Sequence, residues 1–186
     1  MSSPIGHSLA GIAISVWRGK SLKPKSFPVL VLYIFIANVP DLDFIPGIII
    51  GKPNLYHHGI SHSLGMAMLV AALVTPLLKR VLKTSLIKEY LFIVSLYLSH
   101  LILDLIAYDG RPPYGIPIFW PLSDTYFMLP ILPPVKHSKL DHATTAQFFT
   151  DVFSVHNLYV MGLELILTLP FILTMTWLFK KKALDA

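Results

Sequence analysis

Five runs of apolar residues, each of helical length, follow one another along the chain with polar or proline-containing breaks between them. The first, Pro4 to Trp17, is too short to cross a bilayer comfortably, since a span needs ~20 residues. Its small residues Gly6, Ser8, Ala10, Gly11 and Ala13 suit close helix packing. Phe27 to Val39 is the second, stopped by Pro40. Leu64 to Leu82 is the third, with Ser61 or Ser63 placed to cap it. Lys88 to Tyr108 and Leu158 to Phe179 complete the set. Residues 109 to 157 are rich in Pro and aromatics, and apolar residues at helical spacing in their second half predict one or two short helices over the bundle. Phe44 to Ile50 reads as an apolar loop containing Gly and Pro. Without an internal repeat or a low-complexity linker, residues 1–186 are expected to form one domain. The expected fold is all-α, a polytopic membrane bundle of about five helices with the Pro/aromatic-rich segment covering one end.

Composition supports the membrane reading. The chain has 186 residues, 54% hydrophobic and only 13% charged, with a mean hydropathy of +0.66, too apolar for an ordinary soluble domain. Its net charge of +5 does not indicate nucleic acid, because the cations cluster at the ends of apolar runs. Arg18, Lys20, Lys23 and Lys25 form one cluster, Lys79, Arg80, Lys83 and Lys88 a second, and Lys180 to Lys182 a third. With five helices alternating in direction all three fall on one side, which the positive-inside rule makes cytoplasmic. A multi-pass protein of the inner or plasma membrane is expected. No basic segment precedes an apolar stretch at the start of the chain, so no cleavable signal peptide is expected.

The fourth apolar run carries the candidate chemistry. His100 and Asp104 stand at i and i+4 and share a helix face. Inside a membrane such groups face a partner, a cavity or a metal. Pro40-Asp41-Leu42-Asp43 offers two alternating carboxylates, a spacing that suits an extended turn, and the turn with His57, His58, Gly59 and His62 offers imidazoles. Gly59 is expected to let that turn bend tightly. Together with His7, these groups all fall at the non-cytoplasmic end. With no cysteine, a metal must be held by His, Asp, Glu or backbone, and imidazole with carboxylate suits zinc and harder divalent ions. Each residue also has a plainer role: Asp41 or Asp43 can cap a turn, His58 can lie exposed, His7 can be a packed polar group, and His100 with Asp104 can be a self-satisfied pair. Asp124 reads as a loop cap or a substrate contact, His137, Asp141, His142 and His156 as hydrated loop residues, with Asp141 and His142 the alternative completion of a second metal, and Glu164 as a supporting or packing group. Arg111 and Lys136 are cations that would attract an anionic group such as a phosphate.

Asp41-x-Asp43, His57-x-Gly59-Ile60-Ser61-His62-Ser63, Ser99-His100-x-x-x-Asp104 and Pro121-Leu122-Ser123-Asp124 together resemble the YdjM-like family of inner-membrane metal-dependent hydrolases. The resemblance runs from His7 to about Asp124. Where that family usually has His-Arg-Gly, this chain has His57-His58-Gly59, so a cation is replaced by a candidate ligand. More distantly, the order His, Asp, His, His-x-x-x-Asp is similar to the ligand order of zinc-dependent phospholipase C, which implies that Asp104 bridges metals. No downstream His-x-x-x-Glu completes a third site, so two metals are expected rather than three.

The expected function is a membrane-bound metal-dependent hydrolase acting on a phosphoester, plausibly a phospholipid, through a metal-activated water. The metal set is His7, Asp41, Asp43, His57, His58, His62, His100 and Asp104, with zinc expected and manganese the variant. Asp41 or Asp43 is the candidate general base, if left unligated. The segments 44–50 and 114–127 would admit an acyl chain. The competing class is a non-enzymatic membrane protein, either a metal or proton transporter or a bundle with a buried His/Asp network. A transporter should carry ionisable groups through the full depth of the bundle, and the cytoplasmic half of each helix reads as bare of them. Oligomeric state is not legible.

Overall fold

Helix α5 (Leu86–Ile106) has three other helices packed against it. In the computed structural model, which describes residues 2–18, 27–110, 112–132 and 144–184, its Phe92, Ile93, Leu96, Tyr97 and Leu101 are all buried. A helix apolar on every side is stable only when neighbours or lipid cover it. Helix α4 (Leu64–Leu82) runs back along α5 after a short connection, where Lys83 adopts the left-handed conformation that closes a helix. Helices α1 (Pro4–Trp17) and α2 (Phe27–Ala37) pack together and against α5, and α7 (Val155–Leu184) packs on α1. Tyr33 and Ile36 of α2, Ala71 and Leu78 of α4, and Phe92, Ile93 and Leu96 of α5 form one core cluster.

Five expected helices are therefore present, with ends displaced by a few residues. Two of them, Leu86–Ile106 and Val155–Leu178, are long and apolar enough to cross a membrane, and the bent pair Phe27–Ala37 with Val39–Ile49 would make a third span. Among the described residues there is no strand, and two short helices are added. One of these corrects the sequence reading, because Phe44 to Ile50 is not a loop. Val39–Asp43 is a 3-10 turn rather than an extended one, and α3 (Phe44–Ile49) follows it, bent by 59° from α2. Pro40 and Pro46 both lie in first turns, where the N–H they lack would have had no intrahelical partner. Prolines that read as loop markers are accommodated there.

The second added helix, α6 (Thr145–Val152), begins with a reciprocal cap between Thr144 and Gln147. Its Phe148 packs on Phe44 of α3 and Val160 of α7. The Pro/aromatic-rich segment closes the same end of the bundle, as expected. Leu64 and Gly65 donate their free first-turn N–H groups to the carbonyls of Ile118 and Trp120 at 2.9 and 3.1 Å. A Cβ at Gly65 would lie 2.6 Å from the Trp120 oxygen, so the loop can lie this close only over glycine. At the end of α5, the Leu105 and Ile106 carbonyls accept from Leu129 and Ile131, both at 2.7 Å. Orphaned backbone groups at both helix ends are satisfied by one segment.

The opposite end of the bundle is not bare of ionisable groups, which is a second correction. Glu89 is fully buried and accepts from both Arg18 guanidinium nitrogens at 3.1 and 2.8 Å, from the Tyr33 hydroxyl at 3.2 Å and from the Thr84 hydroxyl at 2.9 Å. Because α5 starts at Leu86, Glu89 lies within its first turn and meets α1 and α2 through these bonds.

Candidate metal centre

The i, i+4 spacing places His100 and Asp104 on the interior face of α5, both with no exposure. The Nε2 atom of His100 lies 3.1 Å from Asp104 Oδ2. His62 enters from the 3-10 turn Ile60–His62, just before α4, with its Nε2 3.3 Å from Asp104 Oδ2 and 3.3 Å from His100 Nε2. Asp41 comes from the turn after α2, its Oδ1 3.5 Å from His100 Nε2 and 3.7 Å from His62 Nε2. Four tetrahedral ligands with bonds of ~2.0–2.1 Å would stand about 3.3–3.4 Å from one another. The measured separations bracket that value.

Two further groups of side chains could hold an ion: His57, His58 and His62, and Asp41, Asp43 and His57. In the latter, His57 Nδ1 is 2.9 Å from Asp43 Oδ1 and 4.0 Å from Asp41 Oδ1. Asp41 is the carboxylate common to two groups. His7 belongs to none of the three. It stacks on His100 with ring centroids 3.5 Å apart, and its Nε2 is 3.5 Å from Asp104 Oδ1.

The polar atoms left over test whether a cation fits. Both oxygens of Asp41, Oδ2 of Asp104, Nε2 of His58 and both ring nitrogens of His7 are buried without a hydrogen-bond partner. Each such orphan costs ~1–3 kcal/mol, and here they gather at one place. Lone pairs of carboxylate and imidazole converging in a dry cluster are a donor set that a divalent ion satisfies.

Bonds behind the cluster fix the imidazoles. The Ala37 carbonyl can only accept, so Nδ1 of His100 donates to it, at 2.8 Å, and Nε2 faces the cluster as a lone pair. His62 Nδ1 lies 3.0 Å from Ser61 Oγ and 3.2 Å from Asp43 Oδ2, while Ser61 donates to that same oxygen at 2.6 Å. Tyr97 holds the turn by donating to the Ser61 carbonyl at 2.6 Å. On the far side of Asp104, the Ser2 N–H donates to Oδ1 at 2.8 Å. Ser2 and Ser3 in turn bind Glu164 of α7 through their hydroxyls, and the Ser3 N–H donates to it at 2.9 Å. Glu164 thus anchors the start of α1 beside the cluster.

The turn imidazoles differ in electrostatics. Burial, reinforced by neighbouring His58, pushes His57 down to about 3 despite Asp43, so its ring is neutral at neutral pH. Burial also lowers His58, against the hydrogen bond its ring makes to Asp109. For His62 burial opposes charge too, but the carboxylates of Asp104, Asp41 and Asp43 close around it outweigh burial and hold the ring well above the usual imidazole range.

His58 is buried rather than exposed, and it corrects the account of its turn. The left-handed residue is His58, with φ 61°, while Gly59 has φ −77°. Glycine is needed there for close approach, since a Cβ would sit 2.9 Å from the Tyr56 carbonyl. The His58 ring is held by Asp109, with Nδ1 to Oδ2 at 3.0 Å. Asp109 was not singled out in the sequence, where it reads as a residue just past a helix end. Ser63 caps α4 by accepting from Met66, which leaves Ser61 to the cluster. Asp124 is exposed, and His156 lies in the first turn of α7, outside the ligand groups. Arg111, Lys136, His137, Asp141 and His142 lie outside the described residues.

Fold and cluster together define a helical membrane protein with buried His/Asp groups able to hold a metal ion. The chain belongs to the YdjM inner membrane protein family, whose model matches residues 1–183. It is similar to the inner membrane protein YbcI of Escherichia coli (strain K12), 31% identical over 134 residues, which are 70% of this chain and 73% of that protein. No solved structure matches the chain.

Proposed function

We propose that the protein is a membrane-embedded, metal-dependent hydrolase of phosphoesters. The observation that carries this reading is the near-tetrahedral convergence of Asp41, His62, His100 and Asp104, with five separations between 3.1 and 3.7 Å. Zinc suits this mixed nitrogen and oxygen set. A second ion would fall to Asp41, Asp43 and His57, with Asp41 shared. When bound, a divalent metal supplies Lewis-acid polarisation of a phosphoryl oxygen and lowers the pKa of water to ~7.

Asp43, outside the four-residue group, is the general base when its carboxylate is not ligating. Hydrolysis then adds the water oxygen to phosphorus, breaks the bond to the leaving oxygen and returns a proton to it. Of the described cations, Arg18, Lys79, Arg80, Lys83 and Lys88 stand at the helix ends away from the cluster, and Lys52 stands apart from them. By the positive-inside rule, this arrangement supports a site that opens on the non-cytoplasmic side.

A transporter is the second reading, favoured by the buried Glu89 at the other end of the bundle. It ranks lower because Phe92, Ile93, Leu96 and Tyr97 fill the interior of α5 between Glu89 and His100. The deciding experiment is metal analysis of the purified protein beside His100→Ala, with phosphodiester turnover measured before and after chelation. Bound zinc or manganese, lost in the variant together with turnover, supports the hydrolase. A protein that purifies without metal and takes none up overturns it.

A further inference from the structure

Of the four-residue group, His62, His100 and Asp104 have no side-chain exposure, while Asp41 keeps 13%. Asp43 beside it keeps 9%. The way into the cluster therefore passes the turn at 39–43. That surface is not a polar mouth. Between residues 39 and 63, every exposed side chain except Lys52 is apolar or aromatic, Leu42, Ile45, Ile49, Ile50, Tyr56 and Ile60 among them.

This apolar rim continues a longer feature. Phe27, Val31 and Phe35 are exposed along one side of α2, four residues apart, as a lipid-facing row is. Beyond the 59° bend, Leu42, Ile45 and Ile49 are exposed in turn, on the 3-10 turn that carries Asp41 and Asp43 and on the helix that follows it. An apolar surface of this extent is not left against water. It fits the acyl boundary of a bilayer, with Lys52 as the one cation between residues 39 and 63.

We propose that the substrate is an anionic amphiphile that reaches the site sideways from the bilayer. Its hydrocarbon lies along the row from α2 to α3, Lys52 meets the headgroup charge, and the phosphoester passes the Asp41–Asp43 turn to the cluster. The inference rests on the hydrolase reading for its chemistry, but the lipid doorway is a property of the surface alone.

The test uses the full chain in nanodiscs. The sequence has no cysteine, so Ile45→Cys and Ile49→Cys each carry a single bimane label. Phospholipid bearing a nitroxide on its acyl chain should quench both labels strongly, and aqueous iodide should quench them weakly. Iodide quenching as strong as that of free bimane-cysteine would overturn the doorway. In the second arm, the unlabelled, zinc-loaded protein is given phosphatidylglycerol in the disc or glycerophosphoglycerol in solution, the same headgroup with and without chains. The lipid should be cleaved at least about tenfold faster, and Ile45→Glu with Ile49→Glu should collapse that ratio. Equal rates on the two esters would overturn the substrate class. If neither ester is cleaved, the hydrolase reading and the substrate class fall together, and the quenching alone decides the doorway.

Discussion

The Nε2 atoms of His62 and His100 face each other at 3.3 Å. Behind them, the Nδ1 of His100 donates to Ala37, and that of His62 lies against Ser61 and Asp43. With both protons on the rear nitrogens, two lone pairs and two carboxylates point at one spot. Such a cluster needs a cation, and only a proton or a metal fits.

That choice predicts proton release on metal binding. The carboxylates around His62 hold its ring well above the usual imidazole range, so the metal-free protein carries a proton there at neutral pH. A raised pKa means that this proton is held until the pH climbs through the raised value. Zinc must expel it, so apparent zinc affinity should rise about tenfold per pH unit while one proton is displaced and level off above that pKa. Titrating chelated protein with zinc in weak buffer and an indicator dye should register at least about one proton per site at pH 7. Binding without proton release, or with an affinity flat in pH, would contradict the geometry.

A second prediction separates a ligand from a packing partner. Asp104→Asn keeps the side chain's shape and much of its hydrogen bonding but removes the charge facing His62 and His100. Metal content, measured by elemental analysis, should fall by at least about tenfold. The helical signal should persist, because helix packing and not the ion supplies the bundle. Full metal occupancy with Asn at this position would return the cluster to a structural polar network.

The legible part of the site was the part encoded at short range. His100 and Asp104 were readable because a helix turns their four-residue spacing into a shared face, and the apolar run around them fixed the helix. His62 and Asp41 were readable only as residue types near helix ends, and it took the packing of α2, α4 and α5 to bring them within 4 Å of His100. Asp109 behind His58, Ser2 behind Asp104 and Ala37 behind His100 are long-range partners with no local signature. The helix at 44–49 was missed because prolines in a first turn look the same in sequence as prolines in a loop. Glu89 was missed because a carboxylate beside a lysine cluster reads as solvated.

Glu89 supports a prediction about stability that leaves the metal site aside. Arg18 meets it through both guanidinium nitrogens and also lies over the Phe92 ring, 4.1 Å from its centroid. Arg18→Ala would strand a buried carboxylate, a loss on the order of 3 kcal/mol, tempered by the 20% exposure of the Arg18 side chain. Glu89→Gln with Arg18→Ala should recover part of it, since no stranded charge remains. Chemical unfolding in detergent gives the stabilities, and metal content should stay at the unmutated level in both proteins. A loss of metal in either would tie this network to the site and revive the transporter reading.

The last prediction concerns the side of the membrane on which the site opens. Three basic clusters close apolar runs at Arg18 to Lys25, Lys79 to Lys88 and Lys180 to Lys182, and they outweigh the scattered cations Lys52, Arg111, Lys136 and Lys139. Lysine and arginine near span ends resist translocation, so the side richer in them stays cytoplasmic. The cluster lies where α1 and α4 begin and α5 ends, away from those basic ends, and so should face outward. Lys52→Cys, exposed on the rim of the site, should react in intact cells with a maleimide that cannot cross the membrane. Lys23→Cys should react only after the cells are opened. Because the chain has no cysteine of its own, each signal is unambiguous. The reverse pattern would invert the topology and place the site, with its substrate, in the cytoplasmic leaflet.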